Sequence, residues 1–293
     1  MSHREEPLFR PPAEADSLIF QVALGCPNNT CTFCGMYKGR RYTEKSLNQI
    51  EAEMQLAAKQ YPQAHRIFLA DGDAMHMEYA ALLPILQAAC STFKNLARIS
   101  LYANSISING KSAEELAGLK AQKLHTVYVG LESGSDAVLA QLRKKDRAFD
   151  ALKAAALLRN AGIRLSVMVL VGAGGRLQSA DHVSSTVRLL NEMQPPLLSL
   201  LTMIPIPGTT LCNEIDKGRF VPLDKEGVLR ELHSIIKGLN LHHTVFRANH
   251  TSNPLPLEGR LPKGRDSLLR QIDIMLSDKI FLNEENWADS FSL

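Results

Sequence analysis

Six apolar segments punctuate the chain: SLIFQVAL (17–24), RIFLA (66–70), RISLYA (98–103), HTVYVGL (125–131), RLSVMVLV (164–171) and LLSLLTMI (197–204). Most are continuous apolar runs rather than strict alternations, the pattern of parallel strands covered on both faces. Between them the period changes to that of helices. In SLNQIEAEMQLAAKQY (46–61), Leu47, Ile50, Met54, Ala57 and Tyr61 share one side. Ser112 with Glu115 reads as a capping box, and ALKAAALLRNAG as a helix stopped at Gly162.

This βα series, with no internal Gly/Ser linker, predicts an α/β protein: a partial (β/α)6 TIM-like barrel over 17–210 with a C-terminal helical extension. Residues 1–16 form an N-terminal extension, and 211–293 pack on the barrel. That last part predicts a helix near 210–217 ended by Gly218, a longer one near 224–239, a short strand HTVFR, a loop rich in Asn, Pro and Gly, and a helix near 264–277. The final NEENWADSFSL carries little pattern.

Composition narrows the partners. The chain has 45% hydrophobic residues and a net charge of +3, too small a bias to argue a polyanionic partner. YKGRRY and LRKKDR are local basic spots of the kind that ordinarily face solvent. Aromatics are 6% with one Trp, Trp287, so no base-stacking platform suggests itself and nucleic acid is not indicated. The polar, Pro-rich beginning has no apolar leader pattern, and no apolar run reaches membrane-spanning length. The expectation is a cytoplasmic protein.

The longest interval between strands holds LGCPNNTCTFCGMYKG (24–39), with Cys26, Cys31 and Cys34 among the five cysteines of the chain. An odd total with three clustered fits metal binding in a reduced compartment better than a disulfide framework. Cys90 and Cys212 lie in apolar helical patterns and read as buried structural residues. Structural zinc wants four N or S ligands, and the nearest upstream histidine is His3, in a polar tail. Three thiolates suit an iron–sulfur cluster with one iron open to another ligand. Zinc that borrows a distant His or Cys, and plain redox cysteines, stay open on spacing alone.

Further motifs follow successive strands: ADGDAM after the second, YANS after the third, GLESGSDAVLAQLRKK after the fourth, LVGAGG at the end of the fifth and IPIPGTTL after the sixth. Taken as an ordered series over roughly 17–210, they resemble the radical S-adenosylmethionine (SAM) superfamily, and within it the oxygen-independent coproporphyrinogen oxidase-like and methylthiotransferase-like branch. The resemblance implies that Cys26, Cys31 and Cys34 hold a [4Fe–4S] cluster whose open iron chelates SAM, with Phe33 as the usual aromatic before the last cysteine. Asp71, Gly72 and Asp73 stand where the family receives the SAM amino group. Asn104 and Ser105 are implied contacts for the methionine end, Glu132 for the ribose or methionine end, Lys144 (or Arg143) for the methionine carboxylate, and Val171 with Gly172 for adenine. Individually each has a plainer reading as a strand-end turn or a surface charge. One departure stands out: the family spacing C-x3-C-x2-C is C-x4-C-x2-C here, with the extra residue in the turn-forming PNNT.

The activity so implied is reductive cleavage of SAM to a 5′-deoxyadenosyl radical that abstracts hydrogen from an unidentified, small-molecule substrate, with an external one-electron reductant such as flavodoxin or ferredoxin. A non-enzymatic iron–sulfur or zinc protein on the same scaffold is the alternative. In LHHTVFRANHTSNPLPLEGRLPKGR, Arg247 and His250 would suit an anionic substrate, if that stretch lines a pocket rather than forming a surface loop.

Overall fold

The computed structural model describes residues 9–278, 280 and 282. His3, Trp287 and the stretch 283–293 lie outside the described residues. The chain is α/β, and eight of its strands make one mostly parallel sheet. It divides into two compact units, each built from separated stretches.

The first unit comprises described residues up to 29, then 36–129 and 153–165. Its elements are β1 (Leu18–Gln21), β2 (Ala23–Leu24), β3 (Thr43–Glu44), α1 (Leu47–Gln60), β4 (Arg66–Ala70), α2 (Tyr79–Thr92), β5 (Arg98–Ala103), α3 (Ser105–Asn109), α4 (Ala113–Ala121) and most of β6 (Leu124–Glu132). β1, β4, β5 and β6 pair in parallel in that order, with Leu18 opposite Ile67, Arg66 opposite Arg98, and a bulge at Ile99/Ser100 against β6. The continuous apolar runs are explained by burial on both faces: Ile67 to Ala70, Leu101 and Val127 are all inaccessible to solvent. The first apolar segment differs from expectation, because its end turns aside at Val22 and its last two residues pair antiparallel with β3 instead of extending β1. That ladder closes the cysteine loop.

The helices follow their sequence signals. Ser46 caps α1 in a reciprocal box with Gln49, and Ser112 caps α4 in another with Glu115. Ile50 and Met54 are the buried side of α1, whereas Tyr61 ends the helix exposed.

Chain order continues through α5 (Asp136–Gln141), α6 (Ala148–Asn160), β7 (Arg164–Val171), α7 (Gly175–Met193), β8 (Leu197–Thr202), α8 (Thr210–Asp216), α9 (Lys225–Gly238), β9 (Thr244–Ala248), β10 (Leu257–Leu261) and α10 (Arg265–Ser277). The second unit is made of 30–35, 130–152 and the described residues from 166 onward. β7, β8 and β9 pair in parallel, and β10 adds antiparallel to β9, with Glu258 opposite Arg247. β9 confirms the expected HTVFR strand; β10 replaces part of the expected loop, its strand pattern hidden because LEGRL has Gly259 and two charges among only two leucines. Gly162 and Gly218 follow α6 and α8 at φ of +67° and +68°, the left-handed stop expected of both. Among the described residues no helix is long and apolar enough to cross a membrane.

Candidate active site

The residues singled out in the sequence lie where strands of the parallel sheet end, the edge at which ligands bind in β/α folds. Cys26 follows β1 and the short β2, Asp71 follows β4, Asn104 follows β5, and Glu132 and Val171 are the last residues of β6 and β7.

Within the first unit, the opening of the cysteine loop is held from two sides. Asp71 Oδ2 accepts from the Gly25 amide and from Gln21 Nε2, each at 3.1 Å. Gly72 lies flat against Cys26: a Cβ there would come within 2.6 Å of Cys26 Cβ and 3.1 Å of its Cα. The glycine is therefore required by the cysteine itself. Asn29 Nδ2 donates to the carbonyls of Tyr37 (2.5 Å) and Arg40 (3.1 Å), tying the turn at 27–30 to the far side of the loop. The inserted residue of the first cysteine gap falls in that turn. Burial and the neighbouring Asp71 charge raise the Tyr37 phenol. Burial also raises Asp71, against the pull of its donors.

Asp73 and Asn104 come together in the same unit. Asp73 Oδ2 accepts from Asn104 Nδ2 at 3.0 Å and from Ser107 Oγ at 2.6 Å, and Ser105 is buried at the start of α3. Ser107 is a partner that sequence reasoning missed; α3 itself is five residues long and leaves no periodic signal.

In the second unit, residues 30–35 are fixed by backbone bonds. Thr32 N–H donates to Leu142 O, Leu211 N–H to Thr32 O (both 2.9 Å), and Thr30 Oγ1 to Arg143 O at 3.2 Å. Phe33 packs on the apolar cluster of Val138, Leu142, Ala173, Met203, Leu211 and Phe220. Cys31 and Cys34 are thus carried on a segment anchored to α5 and α8.

Lys144 is buried, with Nζ 3.2 Å from Asp146 Oδ2. Burial works against its charge, but Asp146, Glu132 and Cys31 outweigh it, and the ammonium titrates above its usual range. Desolvation pushes Glu132 up to about 7, opposed by Lys144 and reinforced by Asp146. Its backbone is left-handed, φ +63°, a conformation that costs a non-glycine residue about 1 kcal/mol or more. The segment LRKKDR therefore divides: Lys144 and Asp146 face inward, Arg143, Lys145 and Arg147 outward. Asp146 carried no signal of its own beside so many cations. YKGRRY, apart from Tyr37 and Tyr42, is exposed as expected.

At the end of β7, Gly172 has φ +84°, and its amide donates to Glu231 Oε1 on α9 at 2.5 Å. Val171 beside it is fully buried. Of the remaining cysteines, Cys90 and Cys212 sit in α2 and α8, partly rather than fully buried, with their thiols toward the carbonyls of Gln122 (3.6 Å) and Ile206 (3.0 Å). The β9–β10 loop spends its polar groups internally. Asn253 Nδ2 donates to Leu200 O and Ala248 O, its Oδ1 accepts from Thr202 Oγ1, all at 2.8 Å, and Ser252 Oγ bonds His250 Nδ1 and the Thr202 amide.

Three partly exposed thiols in one short loop are soft donors that fit iron–sulfur chemistry and suit hard cations poorly. Among the described residues no set of three or more His, Cys, Asp or Glu side chains is drawn together as a ready-made metal cage. The fit therefore rests on the chemistry of the donors.

A mostly parallel α/β sheet with a cysteine loop after its first strand defines the class as a partial β/α barrel. Residues 20–210 match the Radical SAM superfamily, and the chain belongs to that superfamily, whose cofactors are a [4Fe–4S] cluster and SAM. It is 25% identical over 208 residues to an uncharacterized methyltransferase of Pyrococcus horikoshii, covering 68% of this chain and 42% of that protein. Among solved structures, the radical SAM methyltransferase TsrM of Kitasatospora setae, with cobalamin and [4Fe–4S] cluster bound, aligns with TM-score 0.57 and 19% identity over 69% of this chain and 39% of its own. Coproporphyrinogen III oxidase of Escherichia coli aligns with TM-score 0.60 and 15% identity over 75% of this chain and 51% of its own. The chain thus spans about two fifths of the length of the first two.

Proposed function

We propose that this chain is a radical SAM enzyme acting on a small-molecule substrate. What carries the reading is the match over 20–210 together with three thiols in the loop after β1. In it, Cys26, Cys31 and Cys34 hold the cluster. Asp71, Gly72 and Asp73, with Asn104 and Ser105, line the first strand ends, the carboxylates suiting the SAM ammonium. Glu132 and Lys144 serve the ribose and methionine carboxylate, and Val171 with Gly172 the adenine. When bound, the cluster and SAM supply a one-electron cleavage that yields methionine and a 5′-deoxyadenosyl radical able to take hydrogen from substrate.

The chain's own residues have simpler tasks. Asp71 and Gly72 fix the backbone at Gly25 and Cys26. Lys144, held by Asp146, presents a fixed cation, and apolar packing of Phe33 fixes the segment that carries Cys31 and Cys34. The electron comes from an external reductant of the flavodoxin or ferredoxin type. A cytoplasmic, oxygen-poor setting suits the five thiols.

A second reading is favoured by two matched proteins bearing the name methyltransferase: SAM donating its methyl group. One experiment separates the two. The protein is reconstituted anaerobically with iron and sulfide, then given dithionite and SAM. Radical cleavage releases 5′-deoxyadenosine and methionine, whereas methyl transfer to an added acceptor leaves S-adenosylhomocysteine. Alanine at Cys26, Cys31 or Cys34 abolishes the signal; alanine at Cys90 or Cys212 leaves it. A fully loaded, reducible cluster that yields neither product would overturn the enzymatic reading in favour of an electron-transfer or interaction protein.

A further inference from the structure

Helix α9 lies beyond the residues that match the superfamily, yet it sends one carboxylate into the second unit's strand ends. Glu231 is 3% exposed. Its Oε1 accepts the Gly172 amide at 2.5 Å, and its Oε2 accepts from Ser179 Oγ of α7. His182 Nε2 lies 3.5 Å from the same Oε1. Across the imidazole, Nδ1 is 2.8 Å from Ser133 Oγ, which itself accepts the Ser135 amide at 3.0 Å.

Ser133 Oγ and His182 Nδ1 share one hydrogen bond, its donor set by the imidazole tautomer, whereas the approach of His182 Nε2 to Glu231 is a contact without hydrogen-bond geometry. Burial keeps the imidazole neutral, its pKa down to about 4. Hydrogen bonds through Glu231 thus join α9 and Ser179 of α7 to the turn after β7, with His182 packed beside the carboxylate. Gly172 cannot find another acceptor cheaply, because a buried amide left without one costs on the order of 1–3 kcal/mol.

We propose that Glu231 is a positioning residue for the SAM site: it sets the backbone of the turn at Gly172. This rests on the proposed reading of Val171 and Gly172 as SAM contacts. Its action is geometric. An acceptor oxygen facing the Gly172 amide is what the turn requires, and a glutamine supplies one while its amide nitrogen faces the Ser179 hydroxyl.

Two measurements test it, on the parent, Glu231→Ala and Glu231→Gln. Amide hydrogen exchange on the cluster-free protein reads the anchoring directly. Glu231→Ala is expected to speed exchange at 170–175 by tenfold or more, with β4 unchanged as the check on folding; Glu231→Gln stays near the parent. SAM binding to the reconstituted protein, followed by steady-state kinetics, reads the consequence. Glu231→Ala is expected to raise Kd and KM for SAM about tenfold, the scale of one lost charge-assisted hydrogen bond, with kcat within about twofold; Glu231→Gln restores both. Unchanged exchange in Glu231→Ala overturns the anchoring. Glutamine as damaging as alanine overturns the geometric role, and faster exchange without weaker SAM binding overturns the link to the site. A parent protein that binds no SAM sinks the functional reading instead, and the exchange data still decide whether Glu231 holds the turn.

Discussion

Gly72 meets Cys26 so closely that a single methyl group separates two outcomes. Gly72→Ala puts carbon 2.6 Å from Cys26 Cβ, where backbone rather than a flexible tip must yield, and overpacking of this kind costs about 1–3 kcal/mol. The expected result is a lower Tm and iron uptake well below the parent's after reconstitution. Gly39→Ala is the matched control: φ of +73° strains it, but its Cβ meets nothing within 4 Å, so it loses stability and keeps its iron. Glu132 makes a prediction in pH. The fold raises its pKa to about 7 from 4.5, so the native state holds a proton that the unfolded chain releases, and stability falls as pH rises between those values. In the metal-free protein Glu132→Gln therefore gains stability over the parent at pH 8, by at most about 3 kcal/mol, and the gain shrinks toward pH 5; chemical denaturation at the two pH values measures it. A gain that persists undiminished at pH 5 counts against titration as its cause. Residues such as Cys26 and Glu132 can be singled out in the sequence because their neighbours make a motif. Ser107, Asp146 and Glu231 cannot, since each acts on a residue it meets only through folding.

At the scale of elements, strands and capped helices were the readable part. β4, β5 and β7 begin and end where their apolar runs do, and Ser46 and Ser112 mark two helix starts through a local bond geometry that four residues specify. β10 and the loop before it resisted for the opposite reason: the loop is polar because it bonds to the end of β8, a partner fifty residues away. Asn253 alone satisfies Leu200 O, Ala248 O and Thr202 Oγ1. Asn253→Ala strands those buried groups and is expected to cost roughly 2–3 kcal/mol, seen as an earlier denaturation midpoint with the slope unchanged. Exposed Asn249, with one 3.2 Å contact to Glu258, should change stability by less than about 0.5 kcal/mol on the same substitution. Equal effects at both positions would mean that the loop is not latched to β8 as these bonds imply.

For the whole molecule the question is whether the part outside residues 20–210 is an accessory. The second unit argues otherwise. β8 pairs on one side with β7 and on the other with β9, and α9 buries Val228, Leu229, Leu232, Ile235 and Ile236 while Phe246 and Leu257 fill the strands beyond. Each such side chain contributes about 1.5–3 kcal/mol by leaving water, so together they rival the about 5–15 kcal/mol by which a domain is stable at all. Cutting the chain after residue 210 also removes the carboxylate beneath Gly172 and opens the edge of β8, an unpaired strand edge that invites aggregation. The expected outcome is that residues 1–210, which contain the whole matched segment 20–210, express as insoluble material or exchange their β7 and β8 amides at unprotected rates, whereas the full chain protects them. A soluble 1–210 fragment with protected β7 amides would show instead that the barrel strands carry their own stability and that α9 and the hairpin were added to a fold already complete.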